Sequence, residues 1–215
     1  VRGQILPSTL DDVRICPDLG MELDDGVAGL PPRRAKMVRL EPSSALAHPE
    51  ALKAIMDADL VVIGPGSVYT SVLPNLLVPG VREAIRSSRA IKVFVTNIAS
   101  QVGDTEGLDV LQHVQVVQAH VGPGLFDYVV ANDNFDAEVP SEWPAELVRI
   151  RSGQRDLGDL RLVEMDVIDP NNPWRHEPAK LAEAVLKVYY DQASRRSTPR
   201  TQVPPVVPPA FVRSA

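Results

Sequence analysis

This sequence predicts an α/β fold, a parallel sheet with helices on both faces, on three observations. Apolar, β-branched runs recur at 60–63, 91–96 and 128–131. Segments with apolar residues at helical spacing separate them. Each run stops on a polar or glycine-bearing position, at Gly64, Asn97 and Asn132 respectively. Strands alternating with helices need right-handed crossovers, which makes them parallel and brings their carboxyl ends to one edge. In such sheets ligands bind beyond that edge, which gives the fold its Rossmann-like character.

The elements follow in order. Residues 1–40 read as a small β excursion, with short strands at 1–6, 13–15 and 36–40 punctuated by Pro7, Gly20, the Asp25-Gly26 turn signal and Pro31-Pro32. Over 49–57, Leu52, Ile55 and Met56 keep helical spacing, Pro49 suits the first helical position, and His48 reads as an end-of-helix residue. The strand at 60–63 and its glycine loop come next, then a helix at 81–88 behind Pro79-Gly80 and the strand at 91–96. A polar loop at 100–107 leads to a helix over 108–121, where Leu108, Leu111, Val114 and Val117 or Gln118 share one face. After the third strand, 147–150 and 162–166 read as two further strands, and 178–190 as a closing helix with Leu181, Val185, Leu186 and Tyr189 in register. The tail at 194–215 holds Arg195, Arg196, Arg200 and Arg213, five prolines and no acidic residue, a composition expected to stay disordered. The folded domain is therefore placed at 1–193 and the tail at 194–215.

Charge and composition exclude several functions. Without the tail's four arginines the body carries 18 basic against 28 acidic residues, so it offers no electrostatic grip on nucleic acid. The single Cys16 rules out an intrachain disulfide and a cysteine-based metal site, and fits packing in a reducing, cytoplasmic setting. No apolar run of membrane-spanning length and no secretory signal occurs, so no membrane partner is expected.

Chemistry concentrates in the loop after 60–63. Gly64 and Gly66 flank Pro65, which lets the amides of Gly66, Ser67 and Val68 converge on one anion, while Ser67, Tyr69, Thr70 and Ser71 add four hydroxyls. A helix starting after Ser67 would favour phosphate there through its dipole. The same residues also fit an ordinary tight strand-to-helix turn. The carboxamides of Asn97 and Asn132 suit a nucleobase edge or a sugar hydroxyl, although Asn is common wherever a strand ends. Arg175, in the polar cluster 173–177 before the last helix, is the charged candidate for a phosphate, its alternative being an ion pair with Glu177 or a nearby Asp. Trp143 could stack on a flat ligand or pack at the surface. No catalytic or metal-binding set stands out. Asp104 is a lone carboxylate in its loop, and Tyr69 occupies the place where a nucleophile elbow around Ser67 needs glycine.

Over about residues 1–190 the chain resembles the gluconeogenesis factor family, the YvcK-like proteins of CofD-like fold, related to the 2-phospho-L-lactate transferases. The resemblance rests on Ala58-Asp59, the run Gly64, Pro65, Gly66, Ser67, Val68, Tyr69, Thr70, Ser71, and Leu73 to Leu77. It rests also on Asn97, Ser100, Gln101, Val102, Gly103, Asp104 and Thr105, on Gln112-His113, on Asn132, and on Arg175-His176-Glu177-Pro178. Val68, Ser100, Asp104, Gln112 and Glu177 depart from the family pattern while keeping its size or chemistry. The resemblance implies a cytoplasmic protein that binds a nucleotide sugar of the UDP type and influences carbon metabolism, cell-wall synthesis and cell shape. It implies ligand contacts at Gly64, Gly66, Ser67, Tyr69, Thr70, Ser71, Asn97, Gln101, Asn132 and Arg175. It attaches no turnover to this branch; a 2-phospho-L-lactate transferase-like enzyme is the alternative. The family's leading Gly-Gly-Gly-Thr-Gly loop and its Asp-Asp-Gly-Gly-Ser element do not occur here. The chain is thus expected to be a C-terminal half that supplies one wall of a site, with an uncovered sheet edge that invites a homo-oligomer.

Overall fold

The computed structural model describes residues 13–16, 37–40, 42–101, 104–136, 145–151 and 157–197. The strand expected at 1–6, Trp143 and residues 198–215 of the tail lie outside that set. Four strands form the central sheet: β3 (Leu60–Ile63), β4 (Ile91–Val95), β5 (Tyr128–Asn132) and β6 (Arg161–Met165). They pair in that order and all in parallel, with Val62 opposite Val93, Phe94 opposite Val129, and Val130 opposite Val163. Alternation along β4 explains how both faces are covered. Phe94 turns to one side, where it packs with Ile63, Val129 and residues of α1 (Pro49–Asp57), α3 (Val81–Ser87) and α4 (Val110–Val121). Ile91, Val93 and Val95 turn to the other and meet Ala184, Val185 and Val188 of α5 (Pro178–Ser197). A strand apolar on both faces is the mark of a sheet sandwiched between helices.

The small β excursion exists as β1 (Val13–Cys16) paired antiparallel with β2 (Met37–Leu40). It joins the α4 side through the amide of Val38, which donates to His120 Nε2 at 3.3 Å. His48 has the helix-end role read from its position, since its Nδ1 accepts from the amide of Glu50 at 3.3 Å and caps α1. The fourth helix begins at Val110 rather than 108 because Asp109 caps it. Gln112 N donates to Asp109 Oδ1 at 2.8 Å while Asp109 N donates to Gln112 Oε1 at 3.0 Å, so two otherwise orphaned amides are satisfied reciprocally.

Three expectations need correction. Residues 147–150 do not form a strand of the sheet. Leu147 makes a single antiparallel bridge to Ala99, with Ser100 N donating to Glu146 O at 2.7 Å and Val148 N to Ile98 O at 2.8 Å. Within the sheet both edges of β4 are already taken by β3 and β5, so this segment can pair only beyond the strand's end. The polar cluster at 173–177 is not merely a connection between the last strand and the closing helix. It lies largely in β8 (Asn172–His176), hairpinned antiparallel onto β7 (Ile168–Asp169). The closing helix extends to Ser197, well past 190 and into the segment whose composition reads as tail.

At one side of the sheet β3 is an edge strand, and Val62 there is 42% exposed. No helix among the described residues is long and apolar enough to cross a membrane.

Candidate functional site

All four central strands deliver their carboxyl ends to one rim, where the glycine loop, Asn97 and Asn132 lie. After β3 the chain turns sharply through Gly64, with φ +86°, and a cis peptide joins it to Pro65. A Cβ on Gly64 would stand 3.0 Å from the carbonyl oxygen of Val95, and one on Gly66 would stand 3.0 Å from Ser71 Cβ. Both glycines let the loop lie against β4 and against its own following turn. The helical start expected after Ser67 is present as a π-type turn, Val68–Val72, which runs into α2 (Leu73–Leu77). Ser67 caps that turn. Its Oγ accepts from Thr70 N at 3.3 Å, and its carbonyl accepts from Ser71 N and Val72 N, both at 2.9 Å. The amides of Gly66, Ser67 and Val68 donate to no acceptor among the described residues.

Asp104, a lone carboxylate within its loop, has a partner across the rim. The Ser67 hydroxyl donates to Asp104 Oδ2 at 2.7 Å, which ties the glycine loop to the loop that follows β4. Tyr69 is buried beneath this pair, and burial together with the Asp104 charge pushes its phenol up to about 12. Its hydroxyl therefore stays protonated. Behind them His113 is fully buried; Nδ1 donates to the Asp109 carbonyl at 2.8 Å, and Nε2 has no hydrogen-bond partner among the described residues. Burial drives its pKa down against the pull of Asp109 and Asp104, so the ring is neutral.

The remaining candidates divide by what their side chains do. Thr70, Ser71 and Gln101 are exposed at the rim and Asn97 is half-buried at the end of β4. The Gln101 backbone shapes its own turn, its carbonyl accepting from Asp104 N and Thr105 N at 2.9 Å each. Asn132 is 2% exposed and engages both ends of its carboxamide internally: Nδ2 donates to the Asn134 carbonyl, and Oδ1 accepts from Val167 N at 3.2 Å. That clamp fixes the rim between β5 and the chain leaving β6. Arg175 is exposed on β8, while the next residue, His176, turns inward so that Nε2 donates to the Thr96 carbonyl at 3.1 Å. Burial lowers the pKa of His176 as well. Successive strand residues face opposite ways, so the residue that reaches the end of β4 is the histidine and the arginine faces outward beside it.

No group of three or more His, Cys, Asp or Glu side chains disposed to hold a metal occurs among the described residues. The donors at this rim, with Asp104 as the carboxylate, do not make a divalent-cation cage by themselves.

A parallel sheet between helices, with a glycine loop and a capped helical turn at its carboxyl rim, defines an α/β protein of the kind that binds ligands at a strand-end crevice. The chain belongs to the CofD family, whose model, described as 2-phospho-L-lactate transferase CofD, matches residues 1–168. It is 34% identical to the gluconeogenesis factor of Halalkalibacterium halodurans over 87% of this chain and 61% of that protein. It is 32% identical to the gluconeogenesis factor of Listeria monocytogenes over 91% of this chain and 62% of that protein. A Nostoc relative, at 36% identity, is matched over 88% of this chain and 44% of its own length. The chain thus spans about half to three-fifths of the curated relatives it matches. Among solved structures, a UPF0052 family protein from Bacillus halodurans superposes with a TM-score of 0.64 at 33% identity, covering 71% of this chain and 52% of that one.

Proposed function

We propose that the rim crevice binds a nucleotide sugar of the UDP type, and that the protein uses this binding to regulate carbon metabolism, cell-wall synthesis and cell shape. The observation that carries the reading is the Ser67–Asp104 hydrogen bond, which joins two loops into one wall beside three amides that have no acceptor among the described residues. A diphosphate belongs on the amides of Gly66, Ser67 and Val68, which donate to no acceptor among the described residues and precede a helical turn. Asp104 then suits a ribose or sugar hydroxyl, which a carboxylate accepts well. Asn97 and Gln101 supply polar side chains for the base or sugar, Arg175 offers its guanidinium from the edge, and Asn132 holds the rim in shape. Membership of a family that includes gluconeogenesis factors supports a cytoplasmic, regulatory role.

The Ser67→Ala variant is expected to bind UDP-glucose about 1–3 kcal/mol more weakly than the parent, since it removes a hydroxyl bonded to a charged group and the cap of the turn together. Isothermal titration calorimetry with UDP-glucose, UDP and glucose checks it. Unchanged affinity in both Ser67→Ala and Arg175→Ala would remove this assignment.

A transferase of the 2-phospho-L-lactate type is the second reading, favoured by the description of the matching family model. Its divalent ion would need carboxylates besides Asp104. Sustained product formation from a lactyl-nucleotide donor and a deazaflavin acceptor with Mg²⁺ would put this reading first.

A further inference from the structure

The segment that carries Asp104 toward Ser67 also borders a cavity. Its volume is about 390 Å³, and its lining includes Ser100, Leu108, Asp109, Glu146, Arg149 and Arg151. Arg149 and Arg151, two residues apart, both face it. The Arg149 guanidinium carbon lies 4.9 Å from the centroid of the Phe135 ring, and Arg151 Nε lies 3.1 Å from Asp109 Oδ2. Stacking and pairing hold both cationic groups in place.

The floor differs from the mouth. Asp109 is 2% exposed, and its two oxygens do different things. Oδ1 caps the fourth helix, whereas Oδ2 faces Arg151 without an aligned hydrogen bond. Oδ2 is closed off from solvent, so a ligand hydroxyl reaches it only where Arg151 turns from it toward a phosphate. Ser100 Oγ, accepting from Glu146 N at 3.0 Å, keeps its proton to donate. The two guanidinium groups offset the Asp109 and Glu146 carboxylates of the same lining and present paired donors that suit a phosphate, and a carboxylate beside a serine hydroxyl suits the hydroxyls of a polyol. The volume lies at the small end of ligand sites, about 300–1,000 Å³, which fits a monosaccharide phosphate better than a dinucleotide-sized ligand.

We propose that this cavity is a binding site for a sugar phosphate, with Arg149 and Arg151 on the phosphate and Asp109 and Ser100 on the sugar hydroxyls. None of its lining residues is among those assigned to the nucleotide-sugar crevice, and the proposal does not rest on that reading. The two share the loop after β4, which contributes Asp104 to one and Ser100 and Asp109 to the other.

Titration of glucose 6-phosphate and ribose 5-phosphate into the protein tests this, with inorganic phosphate and glucose as separate arms. Both esters are expected to bind saturably, and inorganic phosphate about tenfold or more weakly. Arg149→Gln and Arg151→Gln are each expected to weaken ester binding about tenfold, the loss of one charge-assisted contact. Both side chains are exposed, but Arg151→Gln leaves the buried Asp109 carboxylate without its cation, so circular dichroism of each variant accompanies the titration and Arg149→Gln carries the test if Arg151→Gln unfolds. Asp109→Asn keeps the capping oxygen and is expected to reduce the ester to the affinity of inorganic phosphate. No saturable binding of either ester, or binding that both arginine variants leave unchanged, overturns the proposal. Equal affinity for ester and inorganic phosphate overturns the sugar assignment. Ser67→Ala should leave ester binding intact and Arg149→Gln should leave UDP-glucose binding intact, so each reading fails by its own variant.

Discussion

Replacing Gly64 by alanine is expected to destabilise the protein more than any other single glycine change at the rim, and to abolish binding at the crevice. Two costs act at this residue. Its φ of +86° lies where an L side chain is strained, worth about 1–3 kcal/mol. A Cβ would also meet the Val95 carbonyl oxygen at 3.0 Å. Both parties are backbone and Val95 is buried in the sheet, so neither can give way cheaply, and overpacking of this kind adds about 1–3 kcal/mol. Gly107 is the control, because its φ is +72° but a Cβ there meets nothing within 4 Å. Urea unfolding of the two alanine variants separates the effects. Gly107→Ala should show the conformational cost alone and Gly64→Ala that cost plus the clash; a Gly64→Ala loss no greater than that of Gly107→Ala would count against the close approach.

Stability is expected to fall steeply as pH drops below about 6.5, the ordinary histidine value. His113 and His176 both have folded-state pKa values lowered by burial, so the native protein keeps them neutral while the unfolded chain protonates them. Above that pH neither state binds the protons and the two histidines contribute no slope. Below it the unfolded state binds up to two more protons, and stability declines by about 1.4 kcal/mol per pH unit for each. The decline continues until the folded pKa values are reached and then levels off. Paired carboxylates enter only nearer pH 4, which separates their effect from this one. Urea melts at pH 8, 7, 6 and 5 measure the slope. His176→Gln, which retains a donor for the Thr96 carbonyl, should reduce it by about half; an unaltered slope would show that another group titrates.

Local pattern was enough where neighbours merely reinforced it. The runs at 60–63, 91–96 and 128–131 are apolar on both faces, and only a helix-covered parallel sheet accommodates that. Pattern failed where the partner is remote. Residues 147–150 have a strand's composition, but β3 and β5 flank β4, so the segment settles past the strand's end against 98–100. Pro173 and the charged run after it disguise β8, whose pairing with β7 is set by the turn at 170–171 rather than by alternation. At the site, the glycine loop was legible because its constraint is local. The roles of Asp104 and of the Arg149–Arg151 pair were not, since each depends on a partner distant in sequence, as Ser67 and Asp104 show at 37 positions apart.

The order of residues by itself fixed the class of fold, the strand-end loop with its two glycines, and the helix starts at Pro49 and Pro178. These follow from backbone sterics and from the spacing of apolar side chains, which act within a few residues. Only the folded chain decided that Asn132 clamps the rim, that His176 turns inward while Arg175 faces out, and that Asp104 meets Ser67 while Asp109 meets Arg151. Hydrogen bonds and charges select their partners by distance in space, and that distance exists only once the sheet has brought its carboxyl ends together.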